Sequence, residues 1–196
     1  IHVAEQEREV EDCLAWSGRR PVSYLLDEFA VDKRWCAIHA THMTAEETVR
    51  LAKSGAVAGL CPATEANLGD GIYPATEFLA QGGRLGIGTD SHVATSVAEE
   101  LRVLEYGQRL RDRRRNRLVS GPGASVGRTL IEVSLSGGAQ ASGLAVSGIR
   151  VGARADLVVL DGANPFIATA KDDQILDRWI FALGSEVVRD VMVRGD

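Results

Sequence analysis

The sequence is poor in cysteine, in long apolar runs and in positive charge, and each shortage removes a class of protein. Three cysteines, Cys13, Cys36 and Cys61, occur in 196 residues, and none falls in a C-x-x-C pair. So sparse and odd a set fits a reducing compartment, so a cytoplasmic protein is expected rather than a disulfide scaffold. No stretch approaches the roughly 18 consecutive apolar residues of a membrane-spanning helix, and no basic segment followed by an apolar core marks a signal peptide. Acidic residues outnumber basic ones 27 to 22, for a net charge of −5. A general nucleic-acid or anionic-membrane binder needs a cationic surface instead. What is present is an ordinary globular composition, 45% hydrophobic and 25% charged, which excludes wholesale disorder.

The chain opens Ile1-His2-Val3-Ala4-Glu5, without methionine or a polar lead-in, as though inside a strand. Termini usually begin with a few dispensable surface residues, so a longer parent polypeptide is expected. Apolar segments at 1–4, 35–39, 56–61 and 84–89 read as strands buried on both faces of a parallel sheet. Helical patterns separate them at 9–16, 21–29, 44–55 and 73–81. The third opens on Thr44-Ala-Glu-Glu47, a capping box, and stops at Gly55. Alternation of strand and helix predicts α/β architecture with right-handed crossovers. Beyond Asp90 the pattern predicts one long helix over 97–118 with a basic end, and a loop at 120–124. A helix over 125–136 follows, ended by Gly137-Gly138, with another short helix over 139–144. Segments 154–160 and 186–193 read as strands of a small β-rich unit. A (β/α)8 barrel needs eight strands and about 250 residues. The expectation is therefore the second half of such a barrel over 1–145, and a segment of a small β-sandwich domain over 146–196.

All four histidines lie in the first 92 residues, at or beside predicted strand ends, the edge where parallel α/β sheets build active sites. His2 and Glu5 share one site only if the strand ends between them, because side chains alternate along a regular strand. The plainer alternative is a buried, hydrogen-bonded His2 and an exposed loop Glu5. His39 ends the second apolar run directly and is the functional candidate of Ile38-His39-Ala40-Thr41-His42, with His42 as a structural or supporting residue. Asp90 follows Leu85-Gly86-Ile87-Gly88-Thr89, where the glycines allow close backbone approach. A phosphate-binding G-x-G-x-x-G is not completed there. Imidazole and carboxylate converging from several strand ends suit a divalent metal, zinc by ligand type. The arginines from Arg109 to Arg117 lack interleaved aromatics and lie near Glu99, Glu100 and Glu105. A solvated helix face or a homodimer contact is expected there rather than a nucleic-acid patch.

In order, these signals resemble the second half of the amidohydrolase superfamily. The segments His2-Val-Ala-Glu-Gln6, Trp35-Cys-Ala-Ile-His-Ala-Thr-His-Met43, Gly59-Leu-Cys-Pro-Ala-Thr-Glu-Ala-Asn-Leu-Gly-Asp-Gly71, Gly88-Thr-Asp-Ser-His92 and 104–118 are similar to the formimidoylglutamate deiminase family within it. The resemblance implies a divalent metal, with Zn²⁺ the expected ion, held in part by His2 and Asp90. It implies Glu5 as proton shuttle, His39 beside the reacting water, and deimination of N-formimino-L-glutamate in histidine degradation. The related alternative is a heterocycle deaminase or chlorohydrolase, and a third option is an inactive truncated chain. The family's H-x-H pair, which supplies two further ligands, does not occur in this sequence. The missing N-terminal half of the barrel is therefore an expected partner of this chain, besides a small-molecule substrate.

Overall fold

Four short strands lie side by side in one parallel sheet. They are β1 (His2–Val3), β2 (Cys36–His39), β3 (Val57–Leu60) and β4 (Arg84–Ile87), hydrogen-bonded in that order. This arrangement comes from a computed structural model that describes residues 1–144 and 148–196. The register aligns Val3 with His39, Ile38 with Gly59 and Leu60 with Ile87. Every strand thus ends on the same rim. Val57, Ala58, Leu60 and Leu85 are wholly buried, as strands covered on both faces must be.

Helices fill the crossovers: α1 (Glu7–Ser17) and α2 (Pro21–Glu28), then α3 (Ala45–Ser54), then α4 (Pro62–Leu68) and α5 (Ala75–Ala80). Helix α3 is capped as its sequence predicts. The Thr44 hydroxyl accepts from the Glu47 N–H at 3.1 Å, and the Glu47 carboxylate accepts from the Thr44 N–H at 2.8 Å. Gly55 ends the helix at φ +80°, where only glycine is free of Cβ strain. Leu51, Leu60, Phe78, Leu85, Leu101 and Leu130 build the core between sheet and helices. The arrangement is a partial TIM-type barrel. Among the described residues no helix is long and apolar enough to cross a membrane.

Two expected boundaries move, each for a physical reason. The helix expected over 97–118 is α6 (Val97–Asp112), ending at Arg113 with φ +53°. The buried Glu105 carboxylate accepts from the Arg117 N–H at 2.9 Å and the Leu118 N–H at 2.8 Å. These bonds fold the chain back and bury Leu118. The helix expected to end at Gly137-Gly138 instead runs on as α7 (Val126–Ala141) and absorbs much of the separate piece expected over 139–144. Its glycines are a contact surface rather than a stop. A Cβ on Gly137 would lie 1.9 Å from the Leu85 carbonyl oxygen, and one on Gly86 would lie 3.0 Å from the Gly138 nitrogen.

The C-terminal segment contributes β5 (Leu157–Leu160) and β6 (Val188–Met192), an antiparallel ribbon. Between them lie α8 (Pro165–Ala168) and α9 (Gln174–Phe181), for which the sequence reading had no expectation. Helix α9 packs on α6 and α7. Trp179 joins Ala98 and Val187 in a small apolar cluster, the Gly127 N–H donates to Asp177 at 2.8 Å, and Arg102 donates to the Ile180 carbonyl at 2.6 Å. The domain boundary expected between 145 and 146 falls on residues 145–147, outside the described residues.

Candidate active site

The rim where the strands end is made of backbone that bends out of the β region. Ala4, His39, Ala40, Asp90 and His92 all have positive φ, between +40° and +65°. For non-glycine residues each such conformation costs of order 1–3 kcal/mol and persists only where surrounding contacts enforce it. At β1 those contacts are explicit. The Ala4 and Glu5 N–H groups donate to the Glu9 carboxylate at 2.7 and 2.9 Å, turning the chain directly after Val3. The strand therefore ends between His2 and Glu5, the condition for both to face one site. His2, Glu5 and His39 each present a ligand atom, and the three atoms lie within 4.8 Å of one another.

His39 is the centre of this group and is fully buried. Its Nδ1 lies 3.2 Å from Glu65 Oε1, and its Nε2 lies 3.6 Å from Glu5 Oε1 and 4.0 Å from Asp90 Oδ2. The His2 ring stands edge-on to it, with centroids 5.2 Å apart. Burial disfavours a charged His39 ring, but the Glu65 hydrogen bond and the Glu5, Glu65 and Asp90 charges outweigh it and raise its pKa above the ordinary value. Nε2 is buried without a hydrogen-bond partner. A buried imidazole nitrogen left unpaired costs free energy, so this atom fits a ligand or a reacting group. The His2 imidazole and the Asp90 carboxylate are donor types that suit a zinc-type ion, and His39 and Glu5 lie close enough to act on a group bound beside it.

Helix α4 supports the site from one side. Glu65 Oε1 also accepts from the Cys61 N–H at 2.9 Å. The Thr64 hydroxyl donates to the Thr89 carbonyl at 3.3 Å and accepts from the Ser91 N–H at 3.3 Å, with Ser91 Oγ at 3.0 Å. Thr64 thus grips Asp90 through both of its chain neighbours. The Ala63 N–H donates to buried Glu100 at 2.8 Å. Burial raises the Glu100 pKa against that hydrogen bond, and the Glu65 charge adds to the rise. Burial and the carboxylates of Glu65, Asp90 and Glu100 push the Cys61 thiol up to about 12, which leaves it protonated and a poor nucleophile.

Of the residues singled out in the sequence, His2, Glu5 and His39 come together, and Asp90 reaches them through His39 Nε2. His42 lies beside them with a backbone role: its N–H donates to the Ala4 carbonyl at 3.0 Å, and its carbonyl accepts from Arg20 at 2.7 Å. Glu65 and Thr64 were not singled out. Their signal is Cys61-Pro62-Ala63-Thr64-Glu65, a proline at a first helical position directly after a buried strand. Much of the arginine run is engaged. Arg109 pairs with Glu105 at 2.6 Å, Arg111 with Glu77 and Asp112 at 2.8 Å, and Arg117 with Asp112 at 2.6 Å. Hydrogen bonds from Arg111 and Arg117 hold the Asp112 carboxyl down to about 2. Glu100, expected near these arginines, instead accepts from the backbone of α4.

A sequence profile of the amidohydrolase family matches residues 1–196. The chain is 63% identical over 195 residues to the formimidoylglutamate deiminase of Pseudomonas aeruginosa, covering 100% of this chain and 43% of that protein. Among solved structures, an amidohydrolase from Brucella melitensis superposes with a TM-score of 0.94 at 56% identity, over 100% of this chain and 43% of the other. An adenosine deaminase from Xanthomonas campestris with bound zinc superposes with a TM-score of 0.87 at 28% identity, over 100% of this chain and 44% of the other. The chain therefore spans less than half the length of these relatives.

Proposed function

The chain belongs to the amidohydrolase family, and from that premise we propose that it supplies one side of a metal-dependent site for hydrolytic deimination. The substrate is N-formimino-L-glutamate, and the products are N-formyl-L-glutamate and ammonia, a step of histidine degradation in the cytoplasm. The substrate rests on the 63% identity to a formimidoylglutamate deiminase. The reaction class rests on one observation above others: a buried His39 whose unpartnered Nε2 faces Glu5 and Asp90. In this reading the four strands are completed by the rest of a (β/α)8 barrel, residues 1–145 belong to that barrel, and 146–196 belong to a small β-rich unit.

His2 and Asp90 would hold the divalent ion, zinc by donor type, with further ligands from the rest of the barrel. When bound, such an ion lowers the pKa of a coordinated water toward neutrality. The residues of this chain handle the protons. His39 Nε2 takes one proton of the attacking water and passes it on to the departing nitrogen, and the adjacent Asp90 carboxylate orients that water. The water oxygen bonds to the formimino carbon, and the bond from that carbon to the terminal nitrogen breaks. Glu5, on the turn after β1, delivers a proton to the departing nitrogen, a general-acid role that requires hydrogen-bond reach of it. Glu5 obtains that proton from the added hydroxyl as its oxygen becomes the formyl oxygen, so both protons of the water end on ammonia.

The test is ammonia release from N-formimino-L-glutamate by the complete, metal-loaded barrel. Rapid release supports reaction and substrate together. Full metal content without release, but with release from an aminopurine nucleoside, overturns the substrate and leaves a deaminase.

A further inference from the structure

Glu65 has no place in the proton transfers above, yet it is buried against the residue that performs one of them. We propose that Glu65 is a positioning residue that fixes the tautomer of His39, keeping the hydrogen on Nδ1 and the Nε2 lone pair facing Glu5 and Asp90. The proposal deepens the deimination reading and rests on it for the role of Nε2.

The geometry carries it in three steps. A carboxylate accepts hydrogen bonds and donates none, so the 3.2 Å contact between His39 Nδ1 and Glu65 Oε1 requires the hydrogen on Nδ1. Glu65 cannot turn away from this contact cheaply, because the same Oε1 accepts from the Cys61 N–H at 2.9 Å. That amide sits at the junction of β3 and α4, and α4 is tied in turn by the Ala63 N–H to Glu100. Finally, Nε2 has no hydrogen-bond partner: Glu5 at 3.6 Å and Asp90 at 4.0 Å stand beyond hydrogen-bond reach. Among the described residues the Glu65 contact is thus the one hydrogen bond on the ring that selects the tautomer. A neutral histidine exposes one lone pair, and its location is set by the bond the other nitrogen makes. Without Glu65 the hydrogen can sit on Nε2, pointed at Glu5, and the base is then blocked. Helix α4 thereby serves two groups from adjacent residues, His39 through Glu65 and Asp90 through Thr64.

The experiment uses the complete, metal-loaded barrel with ¹⁵N-labelled histidine, at one fixed pH, with the His39 signals assigned by their loss in His39→Asn. The expected result in the wild type is a protonated Nδ1 and an unprotonated Nε2. Glu65→Gln should keep this pattern, because the Cys61 N–H holds the amide carbonyl where Oε1 was, and should lower kcat by about tenfold at most. Glu65→Ala should lose the single tautomer and lower kcat by roughly 10- to 100-fold with little change in KM and unchanged metal content. An unprotonated Nδ1 in the wild type, or a Glu65→Ala enzyme with wild-type tautomer and kcat, would overturn the proposal. If Glu65→Ala does not fold, the wild-type and Glu65→Gln spectra decide alone: Nδ1 protonated in both upholds it, and Nδ1 unprotonated in either overturns it. The spectra need no substrate. A tautomer that depends on Glu65 in a barrel inert toward N-formimino-L-glutamate would uphold Glu65 while rejecting that substrate.

Discussion

The rim at the strand ends and the C-terminal ribbon both carry charged pairs, but they use them in opposite ways. At the rim His39, Glu47, Glu65 and Glu100 are at most 4% exposed, and each of the three carboxylates accepts from at least one backbone N–H. In the ribbon, Arg189 and Asp190 pair at 2.7 Å with both side chains about 60% exposed, and Val158, Val191 and Val193 face solvent. Distances are similar and consequences are not. Water screens the ribbon pair almost completely, whereas a buried carboxylate deprived of its donors bears its full desolvation cost. Short distance alone is a poor guide to importance; burial with a rigid donor decides it.

The sharpest test of that contrast lies at the rim. If His2 and Asp90 hold the ion while Glu5 moves protons, the two carboxylates separate on substitution. Asp90→Asn in the complete barrel should lose bound metal and turnover together. Glu5→Gln should retain metal by elemental analysis yet lower kcat by about 10²- to 10⁴-fold. Wild-type turnover in Glu5→Gln would remove Glu5 from the proton path and make its approach to His39 structural.

A smaller effect is expected at the same rim from a carboxylate that takes no part in chemistry. Burial alone would raise the Glu47 pKa, but the Thr44 N–H, the Ser23 hydroxyl, Arg20 and the Ser23 N–H outweigh it and lower it. The unfolded chain therefore binds more protons than the folded one in acid. The stabilisation is fully present above the ordinary glutamate range and is lost as pH falls through the lowered value. Glu47→Ala should cost about 2 kcal/mol near neutral pH, and denaturant titrations should show that gap narrowing as the pH falls below the ordinary glutamate range. A gap independent of pH would assign the loss to packing rather than to charge.

Much of this rim was legible in the sequence because its signals are local. The Thr44–Glu47 capping box and the Gly55 stop are four-residue and one-residue features, and the helix formed where they said. The apolar runs gave the four strands, and Asp90 was found because a glycine-flanked strand leads directly to it. What stayed hidden depends on contacts distant in sequence. Gly137-Gly138 read as a helix end because glycine lowers helix propensity, but Leu85, some 50 residues away, requires the missing side chain of Gly137. The end of α6 is set by Glu105 reaching Arg117 and Leu118, and a run of good helix formers gives no hint of it. Glu65 escaped for the same reason: its partner His39 lies 26 residues earlier. Helix α9 is amphipathic in its own right, but its eight residues start without a side-chain cap that would mark them, and α6 and α7 cover its Trp179 and Ile180.

The ribbon supplies the control for the whole comparison. Arg189→Ala removes the 2.7 Å pair with Asp190, and proximity alone would rank it beside the Arg20 pair with Glu47 at 3.0 Å. Exposure ranks it far lower. The Asp190 carboxylate is well hydrated whether or not Arg189 is present, so no desolvated group is stranded by the change. The melting temperature of the complete barrel should move by no more than about 2 °C, and added salt should change wild type and variant alike. A larger shift would mean that this face of the ribbon is covered in the complete protein. The two valines 158 and 191, paired across the strands, would then be the surface that the covering element buries.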